Sequence, residues 1–313
     1  MAARARSATL STVELSDVLA EVRETVGTVT TGVVTSAIPA LARIDPHRFG
    51  LAYAGVDGEL VGVGDWDTAF SVQSVSKVFS LALVLAHDGE ALWTRVRRQP
   101  SVYRFNSLSE LDGDCGIPRN PFVNAGALVV TDRLLGITGD AKQAVLDLLL
   151  TESGGGLYVD EAVAADEQAH NHRNSAIAHL IADHGNLHHP VEDVLDHYTG
   201  HCAIAATCGQ LATAALFLAR GGIRTNGERL LSAADTTRLN AILLTCGTYE
   251  AAGDFAYSVG LPAKSGIGGA ILAVIPGRGI LCAWGPALDA HGNSIAATQA
   301  LSTFTSITGW SIF

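Results

Sequence analysis

Apolar positions recur at helical spacing early in the chain. Val13, Leu15, Val18, Leu19 and Val22 form one amphipathic stretch, and Ile38-Pro39-Ala40-Leu41 follows a Thr and Gly interruption, so two helices are expected between 13 and about 43. The pattern then changes. Phe49 to Val56 and Glu59 to Val63 are short apolar runs on either side of Asp57-Gly58, the dipeptide of a tight hairpin. From Val75 to about Leu244 helical periods dominate, for instance over 141–150, 175–182 and 208–219. The strand pattern returns over 269–275 and 280–284, which bracket Pro276-Gly277-Arg278-Gly279 as a second hairpin, and a last helix runs from about Ser294 to Leu301 or beyond. Strands from both ends with helices inserted between them predict an α+β fold: an antiparallel sheet flanked by terminal helices, carrying an all-helical subdomain. Residues 1–73 and 245–313 would build the first part and 74–244 the second, with an active site between them.

Composition narrows the partners. The chain has 313 residues, 48% of them hydrophobic, which is enough for a substantial core. A net charge of −11, with Lys and Arg scattered rather than gathered in a stripe, argues against nucleic acid and for a small-molecule partner. Cys115, Cys202, Cys208, Cys246 and Cys282 are odd in number and contain no Cys-x-x-Cys, which fits reduced thiols in a cytoplasmic protein. Met1 to Ser7 carries positive charge but no apolar stretch follows, so no signal peptide is expected. No membrane span is expected either, because the longest apolar runs are broken by His87 and Asp88 or by Gly277, Arg278 and Gly279.

The chemistry begins at Gln73-Ser74-Val75-Ser76-Lys77. A hydroxyl and an amine stand three residues apart at the head of the apolar run Val78 to Leu85, and on a helix i and i+3 share a face. An alcohol becomes a nucleophile when a base takes its proton, and a lysine can be that base when burial lowers its pKa. Taken alone, Ser-x-x-Lys is also the pattern of a helix cap followed by a solvated lysine. The triplet Lys264-Ser265-Gly266 far downstream changes the weight, since enzymes of the serine β-lactamase and penicillin-binding type pair Ser-x-x-Lys with such a triplet on a strand. Other patterns carry less. Gly154-Gly155-Gly156 lacks the lysine of a phosphate loop, and the histidines from His170 to His201 lack a His-Glu-x-x-His frame, so neither a metal nor a cofactor is expected.

With these residues laid out, the chain resembles a serine-dependent glutaminase, a family that shares the β-lactamase-like fold. Gln73 to Lys77 is similar to the family's nucleophile motif. Phe105-Asn106-Ser107, Asn120 to Ala127, Glu167, His172 to Ala178, Tyr198 before Cys202, Cys246-Gly247-Thr248-Tyr249 and Gly260 to Gly269 follow in family order, so the match runs from about Ile38 to Ser294. The resemblance implies hydrolysis of L-glutamine to L-glutamate and ammonia through a γ-glutamyl ester on Ser74. Lys77 would be the base, helped by the phenol of Tyr249, and the backbone N–H groups of Ser74 and Ile267 would hold the oxyanion. Gln73, Asn124, Glu167, Asn174, Tyr198, Tyr249 and Ile267 would bind substrate, Glu167 suiting an α-ammonium. Lys264 would give electrostatic support, and its charge together with burial would lower the pKa of Lys77. A homo-oligomer, dimer or tetramer, is the expected assembly.

Two alternatives compete with this reading. A penicillin-recognising hydrolase or esterase would need a Ser-Asp-Asn or Tyr-x-Asn triplet, and the chain has neither. A catalytically silent glutamine-binding relative is motivated by one departure: Ala37-Ile38-Pro39 stands where the family has Tyr-Ile-Pro in an N-terminal helix. Gln99-Pro100-Ser101-Val102 also lacks the glycine usual after Pro-Ser.

Overall fold

The computed structural model describes residues 11–27 and 31–313. Residues 1–10, which carry the expectation about a signal peptide, and 28–30, part of the Thr and Gly interruption, lie outside the described residues.

Ten strands are described: β1 Val33–Val34, β2 Gly50–Gly55, β3 Leu60–Gly64, β4 Phe70–Ser71, β5 Tyr158–Val159, β6 Ile204–Ala206, β7 Ala263–Ser265, β8 Ala270–Ile275, β9 Gly279–Trp284 and β10 Ala287–Leu288. The helices are α1 Thr12–Val26, α2 Ser76–Asp88, α3 Leu108–Gly113, α4 Asn124–Thr138, α5 Ala141–Ser153, α6 Glu161–Ala169, α7 His172–Asp183, α8 Val191–Cys202, α9 Cys208–Ala214, α10 Leu216–Ala219, α11 Ala233–Cys246, α12 Ala252–Ser258 and α13 Ile295–Thr308. Strands β3-β2-β9-β8-β7 form one antiparallel sheet. Both expected hairpins are present in it.

The period of the strands explains why they read as nearly continuous apolar runs. Leu51, Tyr53, Ile271, Ala273, Leu281 and Ala283 point to a core shared with Leu15, Leu19 and Val22 of α1 and Leu301 and Phe304 of α13. The alternate residues Ala52, Ala54, Leu272, Val274, Ile280 and Cys282 point to the larger core built by α2, α4, α5, α8 and α9. A sheet buried on both faces has no polar side to show. Helix α1 starts where Ser11 and Glu14 form a reciprocal capping box, and α13 starts where the Ser294 hydroxyl accepts from the N–H of Ala297.

Three expectations change in detail. The second N-terminal helix does not form: after α1 the chain runs through β1, which pairs with β10, and makes only a 3-10 turn at Leu41–Arg43. Val33 and Val34 favour extended backbone, and Pro39 disfavours a helical conformation at Ile38. The 208–219 helix breaks into α9 and α10 at Ala215. The mainly helical segment also holds two short strands, β5 and β6, and β6 pairs with both β4 and β5.

That small sheet aims the nucleophile motif. Phe70 and Ser71 pair with Ala206 and Ala205, the Val72 N–H donates to the Ile204 carbonyl at 2.8 Å, and the chain then turns through a 3-10 segment, Gln73–Val75, into α2. Among the described residues, no helix is long and apolar enough to cross a membrane.

Candidate active site

Ser74 lies in the 3-10 turn and Lys77 is the second residue of α2, so the turn and the helix it leads into hold the two residues of the motif. The turn has an uncommon backbone. Gln73 adopts φ +46° and Tyr249 φ +59°, left-handed values that favour glycine and cost side-chain-bearing residues roughly 1–3 kcal/mol each. The Ser74 side chain is near enough to the Tyr249 phenol to oppose the burial that raises its pKa.

Lys77 is 1% exposed, and its Nζ donates to the Asn124 Oδ1 at 2.8 Å and the Phe122 carbonyl at 3.2 Å. It also stands 5.7 Å from the Tyr198 ring centre and 5.9 Å from that of Tyr249. The Phe122 carbonyl is brought there because α4 packs closely on the loop before it. A Cβ at Gly126 would overlap the Asn120 carbonyl. Asn124 is shared. Its Oδ1 accepts hydrogen bonds from Lys77 Nζ and, at 3.5 Å, from the Tyr198 phenol, while its Nδ2 donates to Asn174 Oδ1 at 2.8 Å.

On the other side of the turn, the Gln73 Nε2 donates to Ser71 Oγ at 3.0 Å and to Glu167 Oε2 at 3.3 Å. Glu167 comes from the last turn of α6 and is buried. Strand β7 supplies Lys264, fully buried, with Nζ 4.1 Å from the Tyr249 ring centre. Beyond it, the 266–268 backbone lies against the nucleophile turn: a Cβ at Gly266 would come 3.2 Å from the Ser74 nitrogen, and one at Gly268 would overlap the Ser71 carbonyl. Ile267 sits between these glycines. A cavity of about 850 Å³ opens beside it, lined also by Ala37, Phe105, Asn106 and Glu250.

Burial without counter-charge sets the electrostatics. Among the described residues neither Lys77 nor Lys264 has an ion-pair partner. Burial lowers the Lys77 pKa to about 8, with the charges of Cys202 and Glu167 opposing the shift. Burial, and then repulsion from Lys77, pushes Lys264 well below the ordinary lysine value. Burial raises Glu167 to about 7, against the Gln73 hydrogen bond and the charge of Lys77. Tyr249 and Tyr198 are raised as well, chiefly by burial. The structure thus holds a lysine that can be neutral near physiological pH three residues along the chain from the Ser74 hydroxyl, a combination that suits an activated nucleophile.

A family model for glutaminase matches residues 32–313 of this chain. The chain belongs to the glutaminase family. A glutaminase of Streptomyces coelicolor is 57% identical over 277 residues, covering 88% of this chain and 90% of that protein. One of Shewanella amazonensis is 45% identical, covering 96% of this chain and 98% of that protein. Among solved structures, the probable glutaminase ybaS superposes with a TM-score of 0.93 at 32% identity, covering 97% of this chain and 99% of that one. A probable glutaminase of Bacillus subtilis gives a TM-score of 0.85 at 29% identity, covering 96% and 97%. The glutaminase fold is the β-lactamase-like one expected from the sequence, and the penicillin-recognising alternative falls with these likenesses.

Every site residue expected from the sequence is drawn into this one region of the glutaminase-family chain. Gln73, Ser74, Lys77, Asn124, Glu167, Asn174, Tyr198 and Tyr249 are joined by the contacts given above, and Ile267 adjoins them through its neighbours. Ala37 lies at the cavity, in a non-helical bend. Burial is the largest cause of the lowered pKa of both Lys77 and Lys264, and the repulsion between the two lysines acts in the same direction. Sequence reasoning missed the Phe122 carbonyl and the buried His201. No residue pattern marks a backbone carbonyl as a lysine acceptor, and nothing in the sequence sets His201 apart among the histidines from His170 to His201. Among the described residues, no three His, Cys, Asp or Glu side chains gather to hold a metal ion.

Proposed function

We propose that Ser74 attacks the side-chain carboxamide carbon of L-glutamine, forming a γ-glutamyl ester as the C–N bond breaks and ammonia leaves with a proton. Water then attacks the ester, releasing L-glutamate and restoring the serine. Lys77 takes the Ser74 proton in the first step and returns one to the leaving nitrogen, with the Tyr249 phenol as the relay between hydroxyl and amine. The observation that carries this reading is the burial of Lys77 with neutral hydrogen-bond acceptors and no carboxylate partner, which lowers its pKa to about 8.

The remaining roles follow from reach and polarity. The N–H groups of Ser74 and Ile267 hold the oxyanion. Glu167 receives the substrate ammonium, whose charge favours the ionised carboxylate. Gln73, Asn124, Asn174 and Tyr198 orient the rest, Asn124 through the second proton of its NH₂. In this reading the divisions at 73/74 and 244/245 separate the two walls of the site. Free Cys115, Cys202, Cys208, Cys246 and Cys282 support a cytoplasmic location, and a dimer or tetramer rests on the family resemblance.

Ammonia release with glutamine tests the assignment. Ser74→Ala removes one oxygen and little packing, so the fold is retained while turnover drops by several orders of magnitude, as when a whole catalytic unit is removed. Turnover within a few-fold of the wild type takes Ser74 out of the mechanism.

A further inference from the structure

The turn that carries Ser74 is held by a buried polar chain that none of the roles above uses. The Ser76 Oγ lies 2.8 Å from the Gln73 carbonyl and 2.8 Å from His201 Nδ1, and the Thr131 Oγ1 lies 3.1 Å from His201 Nε2. Ser76, Thr131 and His201 are all completely buried. Donors and acceptors can be counted through it. A carbonyl only accepts, so the single Ser76 hydrogen goes to Gln73; the contact to the Cys202 sulfur, at 3.8 Å, is longer and to a weak acceptor. The Ser76 oxygen must then accept from His201, which places the imidazole proton on Nδ1 and leaves Nε2 to accept from Thr131. Burial lowers the His201 pKa to about 3, in keeping with a neutral ring.

The far end of this chain is the strained residue. Gln73 at φ +46° keeps its conformation only if its surroundings fix it. Its side chain is fixed by Ser71 and Glu167, and its carbonyl accepts from both the backbone N–H and the hydroxyl of Ser76. The Gln73 carbonyl and the Ser74 N–H belong to one planar peptide unit and point in opposite directions. Whatever aims the carbonyl aims the N–H.

We propose that His201 is a positioning residue: through Ser76 Oγ it fixes the Gln73–Ser74 peptide plane, and so directs the Ser74 N–H toward the oxyanion. The inference rests on the assignment of Ser74 as nucleophile and oxyanion donor. A histidine fits because its two nitrogens reach opposite ways, one donating to Ser76 on α2 and the other accepting from Thr131 on α4. Asparagine can offer a donor near the Nδ1 position, whereas leucine fills the space and offers none. The oxyanion interaction is made in the transition state, so loss of aim lowers kcat and leaves KM nearly unchanged.

The test compares Ser76→Ala, His201→Leu and His201→Asn with wild type and Ser74→Ala, measuring kcat and KM for glutamine per folded molecule, with melting curves alongside. Removing an oxyanion donor outright costs about 10²–10³ in kcat. Misdirecting one should cost part of that: Ser76→Ala and His201→Leu lose about tenfold to a hundredfold in kcat, with KM within about twofold, and His201→Asn recovers most of the loss. Ser76→Ala keeps the test open if His201→Leu does not fold. Wild-type kcat in Ser76→Ala, or an asparagine variant as impaired as the leucine one, overturns the proposal. Ser74→Ala separates the two levels: if it is inactive while Ser76→Ala is unimpaired, only the positioning role fails, and if it is active the underlying reading fails.

Discussion

Helix α4 meets buried charge at two points about two turns apart, and the two are solved in opposite ways. At Asp132 the fully buried carboxylate accepts from Arg95 Nη2 at 2.7 Å, from the His188 and His189 N–H groups at 3.0 and 2.8 Å, and from His189 Nδ1 at 2.8 Å. Burial alone would raise its pKa, but the bonds from Arg95 and His189 outweigh it and the net shift is downward. At Asn124 the same helix faces Lys77, where only neutral oxygens are offered and burial wins. One site keeps its charge and ties α4 to two other segments. The other gives up charge readily, which is what a group that must take and return a proton requires.

This contrast can be broken from either end. The largest effect is expected at Lys77→Arg, which keeps charge and cannot deprotonate. Glutamine turnover should fall by about 10²–10⁴, the usual worth of a positioned general base. An active arginine variant moves the base elsewhere, with Tyr249 the next group in reach. Asp132→Ala should do the reverse. It leaves Arg95 and two backbone N–H groups without their acceptor, so denaturant unfolding should show a loss of about 3–5 kcal/mol, while kcat per folded molecule stays within a few-fold. A kcat loss like that of Lys77→Arg would mean the two ends of α4 are not separate in function.

The smallest effect concerns the cavity rim. If a phenol at position 37 donates to a charged group of the substrate, it is worth about 1.5–3 kcal/mol, or roughly ten- to hundredfold in affinity. Ala37→Tyr should lower KM for glutamine by that factor and leave kcat alone, because such contacts are equal in ground and transition states. A raised KM points instead to a clash with a neighbour that already fills the role.

The two ends of α4 also differ in how legible they were. Ser74, Lys77 and Lys264 could be found from short motifs because the chemistry needs those residue types at fixed local spacing, and the hairpins because Asp57-Gly58 and Pro276-Gly277 punctuate them. The Asp132 cluster left no such trace, since Arg95 and His189 meet Asp132, and Asn186 meets Arg95, only in the folded chain. The region after α1 misled for a related reason. Ile38 and Leu41 are buried with helical spacing, but they cap a minor core with Val163 and Ala203 rather than forming a helix face. His201 shows the limit most clearly. Its partners lie 125 and 70 residues away in the chain, so no local spacing marks it.

The proposed role of Lys77 as base turns on its burial without a counter-charge, and the pH dependence of kcat/KM decides it. The free-enzyme lysine, with its pKa lowered to about 8, is neutral above that value, so kcat/KM for glutamine should rise with pH to a plateau through a midpoint near 8. Below about 7 the rise should steepen, because Glu167 also becomes protonated there and no longer receives the substrate ammonium. In Glu167→Gln the steeper portion should disappear while the midpoint near 8 remains. A profile that keeps rising to the ordinary lysine value of roughly 10.4, or one that is flat across pH 8, contradicts the account.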